Sequence, residues 1–453
     1  MIVILLVFQT GLWLCLFHSF VYWRNGSIYH PLFYYLVFHG LVFVIRPILE
    51  YTFKFDNVFY YMHFYPTDDE FILVLILTSV ALIEFFLMSW FLDSSSAPRY
   101  DRPHPAGFTA IEWQAFWIVV ILLAPVALYS VYYNMGSIQN VLNTSDPTIV
   151  MSRDLSTGVM GFTNTTGYIV DANIILGSLA LMYLWGMRFR LWAFIPLLLY
   201  LMLHAYLGWG RWTILLTTAA AGLLLCLNRG YRWVPWHIIF VIIPVMIGFQ
   251  QLGENRQYFQ IMLTGQSGTD ITNQESWIEQ QDNPDFANFD FLTYVVDVVP
   301  DKSGTYSYFT QYLQLFTEPI PRILWTEKPY GPPISLVNLN NYGNFTGMTT
   351  SIIGDGWISF GWIGVVVTIA IVSYLTVRMH RWFWRGKATN FKILTYCIFV
   401  PLTVQWYRDG GISIAKFLLF TIGTVILWKI VLNALSRSAV TRQTALRDFP
   451  PRL

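Results

Sequence analysis

The sequence predicts an all-α polytopic membrane protein, from its composition and its long apolar runs. Of its 453 residues, 55% are hydrophobic and only 12% are charged, and the mean hydropathy is +0.49. A soluble protein carries about a quarter of its residues as Asp, Glu, Lys and Arg. The charged fraction of this chain is about half of that, too low to cover the surface of a water-soluble protein. Aromatic residues make up 18% of the chain, as expected where Trp and Tyr form belts at both membrane interfaces.

Apolar runs long enough to cross a hydrocarbon core of about 30 Å recur along the whole chain. About eleven such runs, each of roughly 17–25 residues, are predicted to be membrane-spanning helices: 1–23, 31–50, 70–92, 111–134, 167–187, 190–208, 212–228, 234–250, 352–377, 392–407 and 411–434. The first run has no basic segment before it and no small-residue cleavage site. We therefore expect a retained span rather than a signal peptide.

Lys and Arg are concentrated in alternate loops between these runs, and this asymmetry predicts the orientation of the chain. Arg188 and Arg190 follow the fifth run, Arg229 follows the seventh, and five more basic residues lie between 378 and 392. By the positive-inside rule these loops are cytoplasmic. The N-terminus is then expected outside and the C-terminus in the cytoplasm.

The predicted spans divide the chain into four regions. These are the first eight helices (1–250), a large outer loop (251–351), the last three helices (352–434) and a basic cytoplasmic tail (435–453). A loop of that length is usually functional. Its apolar patches, 291–299 and 306–316, predict short amphipathic helices lying at the membrane interface. No phosphate-binding glycine loop is present, and a net charge of +1 indicates no nucleic-acid partner.

Four arginines stand out on the outer loops, which hold few other basic residues. Arg211 follows a Gly-Trp-Gly corner, Arg256 follows the eighth run, Arg322 lies in the large loop, and Arg408 lies between the last two runs. Each could be a surface arginine, and Arg211 could extend to the lipid headgroups. The planar guanidinium binds phosphate through two parallel hydrogen bonds and stays charged. Together the four therefore predict convergence on a polyanion.

Two acids at the outer ends of predicted spans are candidates for a catalytic base. Asp355 lies where the ninth run begins, and Asp409 directly follows Arg408. An N-cap is the alternative role for Asp355, and an ion pair with Arg408 is the alternative for Asp409. A carboxylate at the mouth of a span is equally suited to take a proton from a hydroxyl group.

Other charges near the spans have simpler explanations. Thr67 and Glu70 fit a capping box at the start of the third run, although this acidic segment also resembles the acidic pairs of some lipid-linked sugar transferases. Arg46 and Glu50 lie one helical turn apart in the second run and could pair. Lys416, in the last run, has no partner evident from the sequence. Charges within a span are functional candidates by default.

Taken in order, the motifs of the outer face resemble those of a known family. They are Gly210-Arg211 at a membrane corner, Arg256 after the next span, Pro321-Arg322-Ile323-Leu324-Trp325 with Lys328-Pro329, Ile353-Gly354-Asp355-Gly356 with Phe360-Gly361, and Arg408 before the last span. This order resembles the Wzy-type oligosaccharide repeat-unit polymerases of O-antigen, enterobacterial common antigen and exopolysaccharide. The likeness covers most of the chain in topology, through motifs that are short.

The resemblance implies a fold, a location and a reaction. The fold is GT-C-like with a large periplasmic loop, in the bacterial inner membrane. A growing glycan would pass from undecaprenyl pyrophosphate to another lipid-linked repeat unit, with Arg211, Arg256, Arg322 and Arg408 binding the pyrophosphate. The choice of Asp355 or Asp409 as base is our own hypothesis. Since pyrophosphate is a good leaving group, no metal or other cofactor is expected. A chain-length regulator is an implied partner.

Two other functions remain open from the sequence. An O-antigen ligase resembles this family in fold and donor, and that resemblance implies a catalytic histidine in the large outer loop. Residues 251–350 contain no histidine, which favours the polymerase. A transporter or flippase of lipid-linked sugars would place polar residues in several spans and often shows inverted repeats, and neither is evident.

Overall fold

The structure is a computed structural model of the chain. It describes residues 1–93, 106–143, 152–153, 160–161, 167–207, 211–235, 282, 284–320, 324–325, 331–345 and 347–447. For 136–143, 152–153, 160–161, 167, 206–207, 211, 285 and 438–447 it describes the backbone alone.

The described residues are mainly helical, with one small antiparallel strand pair. In chain order the helices are α1 (Ile2–Tyr22), α2 (Pro31–Phe53, with a π-helical turn at Gly40–Ile45), α3 (Asn57–Met62), α4 (Asp68–Leu92), α5 (Ala110–Asn143), α6 (Ile174–Gly186), α7 (Phe194–Leu207), α8 (Arg211–Arg229), α9 (Asn288–Asp297), α10 (Gln314–Thr317), α11 (Ser351–Trp384), α12 (Asn390–Asp409) and α13 (Gly411–Arg447). The strands are β1 (Ser152–Arg153) and β2 (Met160–Gly161). Short 3₁₀ turns precede α6, α7, α9 and α10.

Eight helices in the described residues are long and apolar enough to cross a membrane. They are Ile2–Tyr22, Pro31–Phe53, Asp68–Leu92, Ala110–Met135, Tyr168–Gly186, Trp212–Arg229, Ser351–Trp384 and Gly411–Arg437. Each overlaps a predicted span. The sixth and tenth predicted spans coincide with α7 and α12, and the eighth, apart from residues 234 and 235, lies outside the described residues. The count of eleven stays a prediction.

Helix α12 lies at the centre of the bundle, in contact with α2, α8, α11 and α13. Its polar side chains Thr395, Thr403 and Gln405 are buried among these neighbours. A helix that faces protein rather than lipid can carry such residues: the Thr403 hydroxyl donates to the Val400 carbonyl at 2.6 Å, and the Gln405 amide donates to the Asp409 carboxylate. This explains why the tenth run is less apolar than the others. By contrast α1 leaves seven of its large apolar side chains exposed and buries only two, Leu6 and Phe20, as a lipid-facing helix does.

The start of α4 confirms the predicted capping box. Thr67 Oγ1 accepts from the Glu70 amide at 3.4 Å, and Glu70 Oε2 accepts from the Thr67 amide at 2.7 Å. Two amides that lack an intrahelical partner are satisfied in this way. The simpler explanation of the acidic segment is therefore sufficient.

Helix α11 is broken near its start, so the ninth predicted span is not one straight helix. Phe360 (φ −166°, ψ 41°) and Gly361 (φ 56°, ψ −136°) leave the helical region. The short segment before the break folds back on the longer one: a Cβ added to Gly356 would lie 2.6 Å from Val365 Cα. Gly361 supplies the positive φ that side chains disfavour. The 23 residues after the break still span about 34 Å at 1.5 Å per residue.

The fold-back requires a glycine at position 364, where an added Cβ would overlap the Gly356 carbonyl oxygen. We expect Gly364→Ala to force the two segments apart and to destabilise the protein by about 1–3 kcal/mol. Gly222 in α8 is the matched control, since an added Cβ there meets nothing within 4 Å. Gly222→Ala should be neutral or stabilising by up to about 1 kcal/mol. The measurement is heat-dependent loss of the folded peak in size-exclusion chromatography; equal behaviour of both variants would contradict the fold-back.

Helix α9 differs from the interfacial helix expected in the large loop. Every residue from Asn288 to Val296 is buried, and the helix packs against α4 and α11. An interfacial helix would expose one face to headgroups and water. The apolar patch at 291–299 thus forms part of the core and fixes the ends of α4 and α11. The second patch forms the short helix α10 and the 3₁₀ turn before it, with Leu313 and Phe316 exposed.

Candidate active site

Asp355 is a buried carboxylate held by donors from three separate segments. Thr350 Oγ1 donates to its Oδ1 at 2.5 Å, and the Gly411 amide donates to its Oδ2 at 2.7 Å. The Tyr312 hydroxyl lies 3.5 Å from the same Oδ2. Asp355 itself is 5% exposed. It therefore joins the start of α11, the start of α13 and the outer segment that contains Tyr312.

Asp355 does not cap α11, as the alternative role predicted; it accepts instead from the start of α13. Asp355 is the fifth residue of α11, whose N-cap position is Thr350. Its carboxylate instead accepts from the first amide of α13, at Gly411. Two glycines make room: Gly410 has φ +85°, an added Cβ there would collide with the Asp355 carboxylate, and a Cβ on Gly411 would lie 2.6 Å from the Tyr312 ring.

The segment before α10 is fastened to the short half of α11. The amides of Ser307 and Tyr308 donate to the carbonyls of Ile358 and Ser359 at 2.8 and 2.9 Å. Gln311 Nε2 donates to Ser359 Oγ at 2.6 Å. Burial and the neighbouring Asp355 raise the pKa of the Tyr312 phenol well above its usual value. Tyr312 therefore remains a neutral hydroxyl donor at physiological pH.

Arg408 and Asp409 form the second part of the site, at the end of α12. Arg408 Nη1 donates to Asp409 Oδ1 at 2.9 Å, and the Gln405 amide also donates to the Asp409 carboxylate. The predicted ion pair is thus present. The Arg408 guanidinium lies 4.7 Å from the centre of the Trp212 ring. Its Nε is buried and has no hydrogen-bond partner among the described residues, so the cation keeps a donor that a bound anion can satisfy.

Four helices begin around these side chains. Trp212 is the second residue of α8, and Asn288, the first residue of α9, donates to the Arg408 carbonyl at 3.1 Å and to Thr349 at 2.9 Å. The starts of α11 and α13 meet at Asp355. Each helix start carries a partial positive charge and amides without intrahelical partners. This arrangement favours an anion.

Of the other three predicted arginines, the structure describes only the backbone of Arg211. Arg211 is the first residue of α8, beside the Trp212 that contacts Arg408, and its side chain is outside the described residues. Arg256 and Arg322 also lie outside them. Leu324 and Trp325, near Arg322, are exposed. The structure therefore brings together Asp355, Asp409, Arg408 and the backbone of Arg211.

Several residues of the site were not singled out in the sequence. Thr350 and Asn288 act through contacts that join distant segments, and no local pattern marks them. Trp212 adjoins the Gly-Trp-Gly corner, and Tyr312 is one of many loop aromatics. The pair Gly410-Gly411 was the one local signal, since two glycines between long apolar runs indicate a close approach of backbone.

Comparison with known proteins decides the family. The family model described as O-antigen polysaccharide polymerase Wzy matches residues 1–437. The chain belongs to the Wzy family. No curated protein and no solved structure matches it significantly. The resemblance seen in the outer-face motifs is confirmed, and with it an integral membrane protein of the O-antigen repeat-unit polymerase type.

A buried ion cluster positions the Wzy site from the side of α2. Arg46 donates to Asp290 Oδ2 from Nε at 3.0 Å and from Nη2 at 2.5 Å, and to Asp282 Oδ1 at 2.9 Å. The predicted partner of Arg46 was Glu50, but the ion pairs are made with these two loop residues. Asp290 lies one half-turn after Asn288, the residue that contacts Arg408. The cluster therefore links α2 to the helix that supports the site.

Removing the arginine would leave buried carboxylates without a counterion. We expect Arg46→Met to destabilise the Wzy protein by about 3–5 kcal/mol. Lys302→Met is the control: Lys302 pairs with Asp297 at 2.6 Å, yet its side chain is 48% exposed, so its loss should change stability by less than about 1 kcal/mol. The apparent unfolding temperature of each detergent-purified variant is the measurement. Similar temperatures for both variants would contradict a structural role for Arg46.

Lys416 has a partner that the sequence did not reveal. Its Nζ lies 3.0 Å from Asp171 Oδ2, and both side chains are about a third exposed (31% and 32%). Since Asp171 lies in the 3₁₀ turn before α6, the pair joins α13 to that turn. Lys416, near the start of α13, thus adds positive charge near Asp409 while its side chain stays partly exposed.

Proposed function

We propose that this Wzy protein transfers a growing glycan from undecaprenyl pyrophosphate to another lipid-linked oligosaccharide repeat unit. Its family supports an O-antigen repeat-unit polymerase. The observation that carries the finer proposal is Arg408, a nearly buried arginine with an unsatisfied Nε, among four helix starts and two carboxylates. A pyrophosphate needs such a combination of fixed cation and backbone amides.

The proposed reaction uses the two parts of the site separately. The hydroxyl oxygen of the acceptor sugar attacks the anomeric carbon of the donor glycan, and the bond from that carbon to the pyrophosphate oxygen breaks. Negative charge develops on the departing undecaprenyl pyrophosphate. Arg408, with Arg211, Arg256 and Arg322 as the further ligands, stabilises this charge because it is fixed before the reaction starts.

The proton of the acceptor hydroxyl passes to a carboxylate, for which Asp355 and Asp409 are the candidates. Asp355 is held mainly by neutral donors, whereas Asp409 is already neutralised by Arg408. A carboxylate next to a fixed cation is a weaker base. We therefore assign the base to Asp355 and a positioning role to Asp409, which holds the Arg408 guanidinium.

The proposed arrangement in the membrane follows the charge asymmetry of the loops. The site lies at the periplasmic face of the inner membrane, with the N-terminus periplasmic and the C-terminus cytoplasmic. The lipid-linked donor then presents its pyrophosphate at the level of the helix starts. The large loop is then on the periplasmic side, and the polyprenyl chain remains in the bilayer.

The decisive experiment is reconstitution. Purified protein in proteoliposomes receives chemically defined lipid-linked repeat units and no nucleotide. We expect a ladder of longer lipid-linked glycans with release of undecaprenyl pyrophosphate, quantified by gel electrophoresis and mass spectrometry. Translocation of unextended units without a ladder would instead establish a transporter. In a parallel reaction that also contains lipid A core, transfer to that acceptor alone would establish a ligase.

A further inference from the structure

Two histidines and an aspartate meet in the interior at the end of the bundle opposite Arg408. His30 lies at the start of α2, Asp93 directly after α4, and His380 in the last turns of α11. His30 and His380 are 0% exposed and Asp93 is 4% exposed. The Nε2 atoms of His30 and His380 lie 3.5 and 3.8 Å from Asp93 Oδ2, and the three ligand atoms lie within 4.8 Å of one another.

The hydrogen bonds around His380 fix its tautomer. Tyr396 OH donates to the Tyr29 carbonyl at 2.7 Å, so its oxygen accepts from His380 Nδ1 at 2.7 Å. The proton of a neutral His380 is therefore on Nδ1, and the lone pair of Nε2 faces the Asp93 carboxylate. That Nε2 is buried with no hydrogen-bond partner among the described residues. A lone pair facing a carboxylate oxygen is repulsive unless a cation lies between them.

Hydrogen bonds also orient Asp93 and His30 in the cluster. Asn25 Nδ2 donates to Asp93 Oδ2 at 3.0 Å and to the Asp93 carbonyl at 2.6 Å, which holds the carboxylate in place. His30 Nδ1 accepts from the Leu32 amide at 3.1 Å. When His30 Nε2 binds a metal ion, the proton of the neutral ring moves to Nδ1. The hydrogen bond from the Leu32 amide to Nδ1 is then lost and a metal–nitrogen bond is gained.

We propose that His30, Asp93 and His380 bind one divalent transition-metal ion of the zinc class. Two imidazole nitrogens and one carboxylate are ligands that zinc accepts, at about 2.0–2.2 Å each. Tetrahedral ligands at that distance lie about 3.3 Å apart. The observed 3.5 and 3.8 Å to Asp93 Oδ2 need a small contraction, and the two histidine Nε2 atoms, which lie within 4.8 Å of each other, approach by up to about 1.5 Å. The hydrogen bond from His380 Nδ1 to Tyr396 is the orienting contact that metal-bound histidines make.

The site is structural and separate from the transfer reaction. Tyr396 and Arg408 lie twelve residues apart on α12, which places the cluster about 18 Å along that helix from Arg408. A metal ion here would join the connection between α1 and α2 to the ends of α4 and α11. At the opposite end of the bundle, helix α9 of the large loop contacts α2, α4 and α11. The ion would therefore fix the ends of these helices that α9 does not reach.

The test is metal content and metal-dependent stability of the full-length protein purified in detergent without chelator. We expect about one zinc per chain by elemental mass spectrometry, and a rise in unfolding temperature when Zn²⁺ is added to chelator-treated protein. Asp93→Asn and His380→Gln should lose both. His39→Gln is the matched control, a buried histidine elsewhere on α2, and it should keep both.

A milder variant guards against misfolding of the ligand variants. Tyr396→Phe keeps all three ligands and removes the orienting acceptor of His380 Nδ1 together with the hydroxyl's bond to the Tyr29 carbonyl, so zinc affinity should fall about 10–100-fold while the protein stays folded. Two results would overturn the proposal. One is wild-type protein with neither bound zinc nor a zinc-dependent unfolding temperature, which would mean that protons alone neutralise the cluster. The other is zinc retained in Asp93→Asn and His380→Gln. None of these measurements depends on polymerase activity.

Discussion

Replacing Arg408 by alanine is expected to lower the rate of chain extension by about 10²–10³-fold, the range found when a fixed donor to a developing anion is removed. The reason lies in its surroundings: the guanidinium is nearly buried, contacts Trp212 and keeps an unsatisfied Nε. Because the Arg408 side chain is only 12% exposed, we expect water to replace the lost donor poorly. The rate is measured as ladder formation from lipid-linked repeat units in proteoliposomes.

Arg408→Lys separates binding of the anion from pairing with Asp409. Lysine keeps a cation beside the Asp409 carboxylate, so the fold should persist, but it lacks the planar fork that binds phosphate bidentately. We expect a loss of at least about tenfold for Arg408→Lys. Arg378→Ala, an exposed arginine near the other end of α11, should extend chains at the wild-type rate. Wild-type activity of Arg408→Lys would mean that Arg408 acts only as the counterion of Asp409.

Asp355→Asn is expected to lower chain extension by about 10²–10⁴-fold, the contribution of a general base. The substitution is nearly isosteric, and its carbonyl oxygen can still accept from the Gly411 amide. Asparagine caps helices about as well as aspartate. The variant therefore removes the basicity of the residue while it keeps the link to α13. Asp355→Ala removes both, and should be less stable as well as inactive.

The comparison of these two variants decides the role of Asp355. A base is indicated if Asp355→Asn is as inactive as Asp355→Ala but unfolds at the temperature of the wild type. If Asp355→Asn extends chains within a few-fold of the wild-type rate, Asp355 only joins α11 to α13. Asp409→Asn, measured alongside, then shows whether the proton goes to the neighbouring carboxylate.

Hydropathy predicted the positions of the spans because lipid selects for long apolar runs, as in α1, α4 and α13. It could not reveal the fold-back of α11, since Phe360 and Gly361 continue an apolar run and hydropathy carries no information on backbone angles. It also placed 291–299 at the interface, because an apolar patch has the same composition whether it faces lipid or protein. The burial of α9 depends on α4 and α11, which are distant in sequence.

The residues of the candidate site that could be predicted are those whose charge is unexpected in an apolar surrounding. Asp355 and Arg408 are charges at the ends of apolar runs, and they were found for that reason. Their partners were not, because the Thr350, Tyr312 and Gly411 contacts arise from tertiary packing of uncharged residues. The cluster of His30, Asp93 and His380 was not predicted for a similar reason, because its members lie far apart in the chain and match no metal-binding spacing.

The hydrogen bond from Gly411 to Asp355 also has a consequence for biosynthesis. The carboxylate belongs to α11, while its backbone donor belongs to α13, the last helix in the described residues. During synthesis the start of α13 must be made and must reach the start of α11 before Asp355 gains this donor. Nascent and prematurely terminated chains therefore hold an unfinished site. If the proposed function holds, we expect transfer activity only from chains in which α13 has been inserted.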